Sequence, residues 1–299
     1  MEATFRSGFV AVVGRPNAGK STLLNTILGQ KVLIISEKPQ TTRNTIRCIL
    51  TEEKGQVIFL DTPGIHKPKD KLGEYMATSA RNALNGVDIT IWVADAGAPW
   101  GKGDEYLLNL LQESGVPYLL ALNKIDLLDK NELLVRIDAF ARRGQFREIV
   151  PLSALSGENT ERLVNIIWEY LPAGPMYYPA DEVTDQPERF IVAEIIREKL
   201  FRLTREEIPY SVGVTVEQME EKTSLVKIEA SIFVERTSQK GIVIGKNGSL
   251  LKEAGQQARQ EIETLLNSKV LLKLWVKVRK DWRNQQNMLR ELGYDLRST

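Results

Sequence analysis

The 299-residue sequence has little of several features that define other classes of protein. It contains one cysteine, Cys48, and one histidine, His66, so it can form neither an internal disulfide nor the usual Cys/His zinc cluster. No apolar run approaches the roughly 18 residues of a membrane span, and the first residues lack the pattern of a signal peptide. These absences predict a soluble protein of the reducing cytoplasm.

The overall charge is almost balanced, but its distribution along the chain is not. Lysine and arginine total 40 against 39 acidic residues, a net charge of +1. Residues 236–283, however, carry 11 basic and 4 acidic residues, a local charge of +7. Such a block is the electrostatic footprint of a protein that binds a nucleic-acid backbone, although by itself it is also typical of a solvated surface.

The pattern of the chain predicts two domains. Residues 1–172 alternate short apolar, β-branched runs with helical patterns, which predicts an α/β domain with a mostly parallel sheet. Residues 173–187 are rich in proline and show no helical or alternating pattern of apolar residues, which predicts a linker. Residues 188–299 show the order α-β-β-α-α-β and a C-terminal helix, which predicts a smaller α+β domain.

A phosphate-binding motif lies between the first predicted strand and the first helix. The segment GRPNAGKS, residues 14–21, matches G-x-x-x-x-G-K-[ST], in which backbone N–H groups and a helix N-terminus surround phosphate oxygens. Lys20 is expected on the β and γ phosphates and Ser21 on Mg²⁺. The predicted nucleotide contacts here are Gly14, Arg15, Pro16, Asn17, Ala18, Gly19, Lys20, Ser21 and Thr22.

Three further clusters follow strands of the same predicted sheet. DTPG closes one strand, and Asp61 there suits a metal held through water while the Gly64 N–H suits a γ-phosphate. NKID closes another, and the Asp126 carboxylate can accept both N1–H and the 2-amino group of guanine, which excludes adenine. The Ala154 N–H of SAL can donate to guanine O6. The predicted contacts are Asp61, Thr62, Pro63, Gly64, Ile65, Asn123, Lys124, Asp126, Ser153, Ala154 and Leu155.

With these four motifs in this order, the sequence resembles the GTPase superfamily. The resemblance implies GTP and GDP as ligands, with Ser21, Thr42 and Asp61 at Mg²⁺ and with Lys20, Thr42 and Gly64 in hydrolysis. Thr42 is favoured over Thr41 in the segment QTTR, which resembles a switch segment, but the sequence leaves both open.

The chain departs from Ras-like members after the glycine of DTPG. Ile65 stands where those members carry a glutamine that orients water, so slow hydrolysis is expected. His66 is adjacent, but a lone histidine in a polar loop is more typical of a surface position than of a base. Potassium (K⁺) is a further candidate cofactor, because resembling GTPases that use K⁺ ligate it with an asparagine at the position of Asn17; the alternative role of Asn17 is to shape the loop.

The second domain contains the motif G-x-x-G within the basic block. Its place between two helices, after two strands and before a third, resembles a KH domain of the prokaryotic type, whose loop clamps a nucleic-acid backbone. The predicted RNA contacts are Gly245, Lys246, Asn247, Gly248 and Lys252. Trp275 and Trp282 are candidates to stack bases, but Trp275, in an alternating strand, is expected in the core.

A GTPase domain followed by a KH domain at this length resembles the Era family of bacterial ribosome-assembly GTPases. The resemblance implies binding near the 3′ end of small-subunit ribosomal RNA, assistance to small-subunit assembly, and peripheral contact with the inner membrane. A monomer that does not bind DNA is expected. The alternative is an RNA-binding scaffold in which GTP is mainly a structural ligand.

Overall fold

The alternating runs of the N-terminal part form one six-stranded sheet, in which a helix separates successive strands everywhere except between the antiparallel pair β2 and β3. The computed structural model describes residues 4–296 and assigns this sheet to a first unit, residues 4–68 and 74–185. Its strands are β1 (Arg6–Gly14), β2 (Ile46–Glu52), β3 (Gly55–Asp61), β4 (Ile89–Asp95), β5 (Tyr118–Asn123) and β6 (Ile149–Pro151). Its helices are α1 (Lys20–Leu28), α2 (Lys71–Asn82) from residue 74 onward, α3 (Lys102–Ser114), α4 (Lys130–Ala141) and α5 (Thr160–Tyr170).

The strand order is β2-β3-β1-β4-β5-β6, and only the edge strand β2 runs antiparallel to its neighbour. Strands such as β5 are buried along their whole length, as expected for a parallel sheet covered on both faces. The carboxyl ends of β1, β3, β4 and β5 therefore meet at one edge of the sheet. The predicted α/β domain with a mostly parallel sheet is confirmed.

The proline-rich segment at 173–187 is anchored to the first unit as far as Asp185. The Ile49 N–H of the edge strand β2 donates to Val183 O at 2.9 Å, and Arg47 pairs with Asp185 at 2.7 Å. The buried Gln56 carboxamide accepts from the Tyr177 N–H at 2.8 Å. The first of these contacts satisfies a backbone group that the edge strand leaves open, and together they hold this stretch as an ordered extension along β2 and β3.

The second unit comprises residues 69–73 and 186–296. Its strands are β7 (Gly213–Lys222), β8 (Leu225–Val234) and β9 (Val270–Val278), with β7 antiparallel and β9 parallel to the central β8. Its helices are α6 (Glu188–Leu203), α7 (Ile208–Ser211), α8 (Thr237–Ile244), α9 (Ser249–Leu265) and α10 (Gln286–Glu291). The predicted α-β-β-α-α-β order is confirmed, with the short α7 added.

The core of this unit lies between the helices and one face of the sheet. Val192 of α6, Ile228 of β8 and Ile262 of α9 are fully buried in one apolar cluster. Trp275 alternates onto the opposite face of β9 and is 54% exposed, so the expectation of a core position was wrong. Trp282 is the buried tryptophan, and its Nε1–H donates to Ser211 O at 2.8 Å.

No helix within residues 4–296 is long and apolar enough to cross a membrane.

Candidate functional site

The four predicted nucleotide motifs line or support one cavity of 520 Å³ at the carboxyl edge of the first unit's sheet. The predicted residues that line it are Pro16, Asn17, Gly19, Lys20, Ser21, Thr22, Thr42, Gly64, Asn123, Lys124, Asp126, Ala154 and Leu155. The predicted residues outside its lining are Gly14, Arg15, Ala18, Asp61, Thr62, Pro63, Ile65 and Ser153. Of these, Arg15 points away and pairs with Asp104 at 3.0 Å.

The phosphate loop has the geometry that its glycines predict. Gly19 has a φ of 96°, and a Cβ there would lie 2.2 Å from Asn123 Nδ2, so only glycine fits. Lys20 is 6% exposed at the start of α1, and its Nζ donates to Arg15 O at 3.3 Å. Burial lowers the pKa of the Lys20 ammonium, and the Asp61 carboxylate opposes that shift. The loop thus holds a buried cation beside a helix N-terminus, which suits phosphate.

Two hydroxyls and one carboxylate meet beneath the phosphate loop. Ser21 Oγ donates to Asp61 Oδ2 at 2.9 Å, and Thr42 Oγ1 donates to the same oxygen at 3.0 Å. Asp61 Oδ1 is buried without a hydrogen-bond partner among the described residues. Burial raises the pKa of the Asp61 carboxyl, while Lys20, Ser21 and Thr42 lower it. This set of oxygens with an unsatisfied carboxylate oxygen fits a hard cation such as Mg²⁺.

The adjacent Thr41 also lines the cavity, but its hydroxyl is bonded within its own loop. Thr41 Oγ1 donates to Lys38 O at 2.8 Å, within its own loop. The geometry therefore places Thr42, and not Thr41, beside Ser21 and Asp61.

The segment after DTPG connects the phosphate loop with the switch segment. A Cβ on Gly64 would lie 2.8 Å from Pro16 Cα, and the Ile65 N–H donates to Gly14 O at 3.1 Å. His66 Nδ1 lies 2.8 Å from Gly64 O, and its Nε2 lies 2.9 Å from Gln40 Nε2. The histidine that the sequence marked as a surface position thus bridges two loops around the cavity.

The guanine end of the cavity is organised by Asn123. Its Nδ2–H donates to Ala18 O at 2.8 Å, and its Oδ1 accepts from the Ala154 N–H at 2.9 Å. Sequence reasoning assigned the Ala154 N–H to guanine O6, whereas in the structure it donates to Asn123. Asp126 is exposed in a short 3₁₀ turn that begins after Lys124, whose φ is 67°. An exposed carboxylate at this edge is available to a guanine base.

Sequence reasoning missed two residues that hold this end of the site. Asp95, at the end of β4, pairs through Oδ2 with Lys124 Nζ at 2.7 Å and accepts from the Gly97 N–H at 2.9 Å. Thr26 Oγ1 of α1 donates to Ala154 O at 2.7 Å. Asp95 closes an apolar strand just as Asp61 and Asn123 do, so the same signal could have identified it.

The second unit presents the G-x-x-G loop between α8 and α9. Gly245 and Gly248 have φ values of 74° and 79°, and a Cβ on Gly245 would lie 2.8 Å from Leu250 N. Lys246 and Asn247 are exposed at the tip, as is Lys252 on the first turn of α9. The five predicted RNA-contact residues therefore lie at one corner, with Lys246, Asn247 and Lys252 exposed and the two glycines half-buried, which suits contact with a nucleic-acid backbone.

Two family models match the chain in the order that the motifs suggest. A model described as a 50S ribosome-binding GTPase matches residues 9–124, and a KH-domain model matches residues 207–283. The GTPase Era of Staphylococcus haemolyticus (strain JCSC1435) is 52% identical over 290 residues, which cover 97% of each chain.

Solved structures are similar over nearly the whole chain. A crystal structure of Era with MgGDPNP and nucleotides 1506–1542 of 16S ribosomal RNA has a TM-score of 0.95 at 42% identity, covering 98% of this chain and 100% of that one. A variant of Aquifex aeolicus Era bound to GDP and AlF₄⁻ has a TM-score of 0.94 at 42% identity, with the same coverage. Both domains are thus shared with these proteins.

Proposed function

This chain belongs to the Era family of GTPases, and we propose that it is a GTP-hydrolysing switch that binds small-subunit ribosomal RNA near its 3′ end and assists small-subunit assembly. The observation that carries the proposal is the presence, in one chain, of a guanine-nucleotide cavity and an exposed KH loop. It is supported by the similar Era structure that contains a 16S ribosomal RNA fragment.

In the first unit, the phosphate loop would bind the phosphates of GTP or GDP, and Asp126 would select guanine. Ser21, Thr42 and Asp61 would hold Mg²⁺ directly or through water, because their oxygens already lie within 3.0 Å of one another. The metal would neutralise charge on the β and γ phosphates. Lys20 adds a buried positive charge beside them.

The residues proposed to act in hydrolysis are Lys20, Thr42 and Gly64. Lys20 and the phosphate-loop N–H groups would stabilise charge that develops on the phosphates. The Gly64 N–H would orient the γ-phosphate, because Gly64 lines the cavity against Pro16. Ile65 has no group that can hold water, and its side chain is buried. Intrinsic turnover is therefore expected to be slow.

Potassium is the further cofactor that we propose. Asn17 has a φ of 63°, and its Nδ2–H donates to Glu37 O, in the loop that leads to the switch segment. An amide side-chain oxygen and a backbone carbonyl oxygen are ligand types that bind a monovalent cation. A cation there would supply positive charge near the bond that breaks, in place of an arginine finger.

In the second unit, the loop from Gly245 to Gly248 and Lys252 would contact the RNA backbone. Family membership further supports action in the cytoplasm as a monomer, without binding to DNA and with peripheral contact with the inner membrane.

The test compares RNA affinity in two nucleotide states. Binding of a 3′-terminal fragment of 16S ribosomal RNA is measured with the protein loaded with GDPNP or with GDP, and a shuffled RNA of equal length is the control. A switch predicts a difference in affinity between the two states. Equal affinities would favour the scaffold alternative, to which the absent glutamine at Ile65 lends support, and weak binding of both RNAs would overturn the RNA assignment.

A further inference from the structure

A second cavity lies in the first unit, between residues 65–68, α2 and α3. Its volume is 510 Å³, nearly that of the nucleotide cavity at 520 Å³. The two cavities share no lining residue. We call this second cavity the α2/α3 groove. Apart from Ile65, which the sequence placed among the nucleotide contacts, none of its lining residues belongs to the proposed nucleotide or RNA contacts.

Basic residues outnumber acidic residues in the lining of the α2/α3 groove. Lys67, Arg81 and Lys102 line it, and Glu74 is its only acidic lining residue, which makes a net charge of +2. None of the three cations forms an ion pair with any residue in the described range 4–296. A groove with unpaired cations attracts an anionic partner, because complementary charge favours association.

Part of the groove lining, which we call its floor, is apolar. Pro68, Ala77 and Leu110 line it together with Tyr106, which is 41% exposed. Arg81 Nε donates to Tyr106 Oη at 2.9 Å, and its guanidinium lies 5.7 Å from the centre of the tyrosine ring. The guanidinium therefore lies at the hydroxyl end of the ring, and the ring itself adds to the apolar lining of the groove.

We propose that the α2/α3 groove docks an acidic, amphipathic segment of a protein partner. Its apolar residues would lie on the floor, and its carboxylates would meet Lys67, Arg81 and Lys102. This combination corresponds to the binding of an amphipathic helix in a groove. RNA would satisfy the cations but would leave the apolar floor without a matching partner.

Two consecutive residues connect the groove to the nucleotide site. Ile65 lines the groove, and its N–H donates to Gly14 O of the phosphate loop at 3.1 Å, while the preceding Gly64 lines the nucleotide cavity. A nucleotide that moves Gly64 therefore moves the rim of the groove. Docking and nucleotide binding are linked, and the linkage is reciprocal.

The test uses a fluorescein-labelled helical peptide of about 16 residues, with leucine on one face and glutamate on the other, as the probe. Its affinity for the full-length protein is measured by fluorescence anisotropy with GDPNP and with GDP.

Arg81→Glu/Lys102→Glu is the groove variant, and Lys67→Glu is a second variant in an exposed loop. Lys130→Glu/Arg142→Glu, with the same charge change on exposed positions of α4 and its end, is the matched control. Thermal unfolding and GDP binding check that each variant is folded.

The groove variant is expected to bind the probe at least about tenfold more weakly and the control to match wild type. Lys67→Glu should weaken binding in the same direction. Equal binding by wild type and the variants, or no saturation by about 1 mM peptide, would overturn the proposal. The proposal would also be overturned if the groove variant bound an RNA oligonucleotide more weakly than wild type does but bound the peptide equally well. Equal probe affinity with GDPNP and GDP would overturn the proposed link to the nucleotide.

Discussion

The two glycine-containing loops that the motifs identified are built in opposite ways. In the phosphate loop, Lys20 is 6% exposed and Gly19 packs against Asn123 from another strand. In the KH loop, Lys246 and Asn247 are exposed, and no residue in the range 4–296 pairs with the Lys246 side chain.

The two loops therefore obtain their selectivity in different ways. The phosphate loop is held by Asn123, which also contacts Ala18 and Ala154, so its donors are arranged before any ligand arrives. Such preorganisation favours one ligand shape. In the KH loop, glycines allow the backbone to approach a ligand closely, and the Lys246 side chain is a free cation. Both features suit a flexible RNA strand, and the cation makes the affinity depend on salt.

The largest effect is expected from Asp126→Asn in the preorganised site. The asparagine amide N–H would face the 2-amino group of guanine, which is also a donor, whereas xanthine presents a 2-oxo acceptor there. The nucleotide preference should therefore shift from GTP towards XTP by about 10³-fold. Competition binding with the two nucleotides measures the shift. A folded variant that still prefers GTP would show that Asp126 does not select the base.

The next effect is expected from Lys246→Glu in the exposed loop. Replacing one phosphate contact by a repulsion should weaken RNA binding by about 1 to 3 kcal/mol and lower the salt slope by about 1. RNA affinity is measured as a function of KCl concentration. Lys222→Glu, an equal charge change at an exposed position at the end of β7, is the control. An unchanged RNA affinity and salt slope would show that the loop does not contact RNA. A loss of GTP turnover in the absence of RNA would show that the two loops are not independent.

A smaller effect is expected from the monovalent cation. At constant ionic strength, wild type should hydrolyse GTP about tenfold faster in KCl than in NaCl, because a bound cation stabilises the charge of the transition state. Asn17→Ala should abolish this difference while retaining GDP affinity. Equal wild-type rates in the two salts would contradict the role of Asn17 as a potassium ligand.

The smallest effect is expected from Asp95→Asn, which removes the ion pair with Lys124. Both side chains are about one-third exposed or less, so the loss should be modest, about two- to fivefold in GDP affinity. The preference for GTP over XTP should stay as in wild type, because Asp126 is intact. Asp138→Asn, which removes a more exposed pair with Arg142, is the control. An equal effect in both variants would show that the Lys124 pair does not position the site.

The predictable part of the site consists of contiguous residues. The segment from Gly14 to Ser21 and the loop from Gly245 to Gly248 are recognised from local spacing alone, because their glycines permit the required backbone turn and the flanking elements follow directly in the sequence. Buried apolar runs such as β5 likewise marked the strands whose ends meet at the site. Sequence alone thus determined the two domains, the sheet edge that carries the cavity, and the residue types within it.

Only the tertiary structure decided which of these residues contact one another. It placed Thr42 rather than Thr41 beside Asp61, joined Asp95 to Lys124, and gave the Ala154 N–H to Asn123. It also exposed Trp275 and buried Trp282. The physical reason is that periodicity shows which side chains share a face, whereas strand order and helix packing decide which face is covered and which distant polar groups meet.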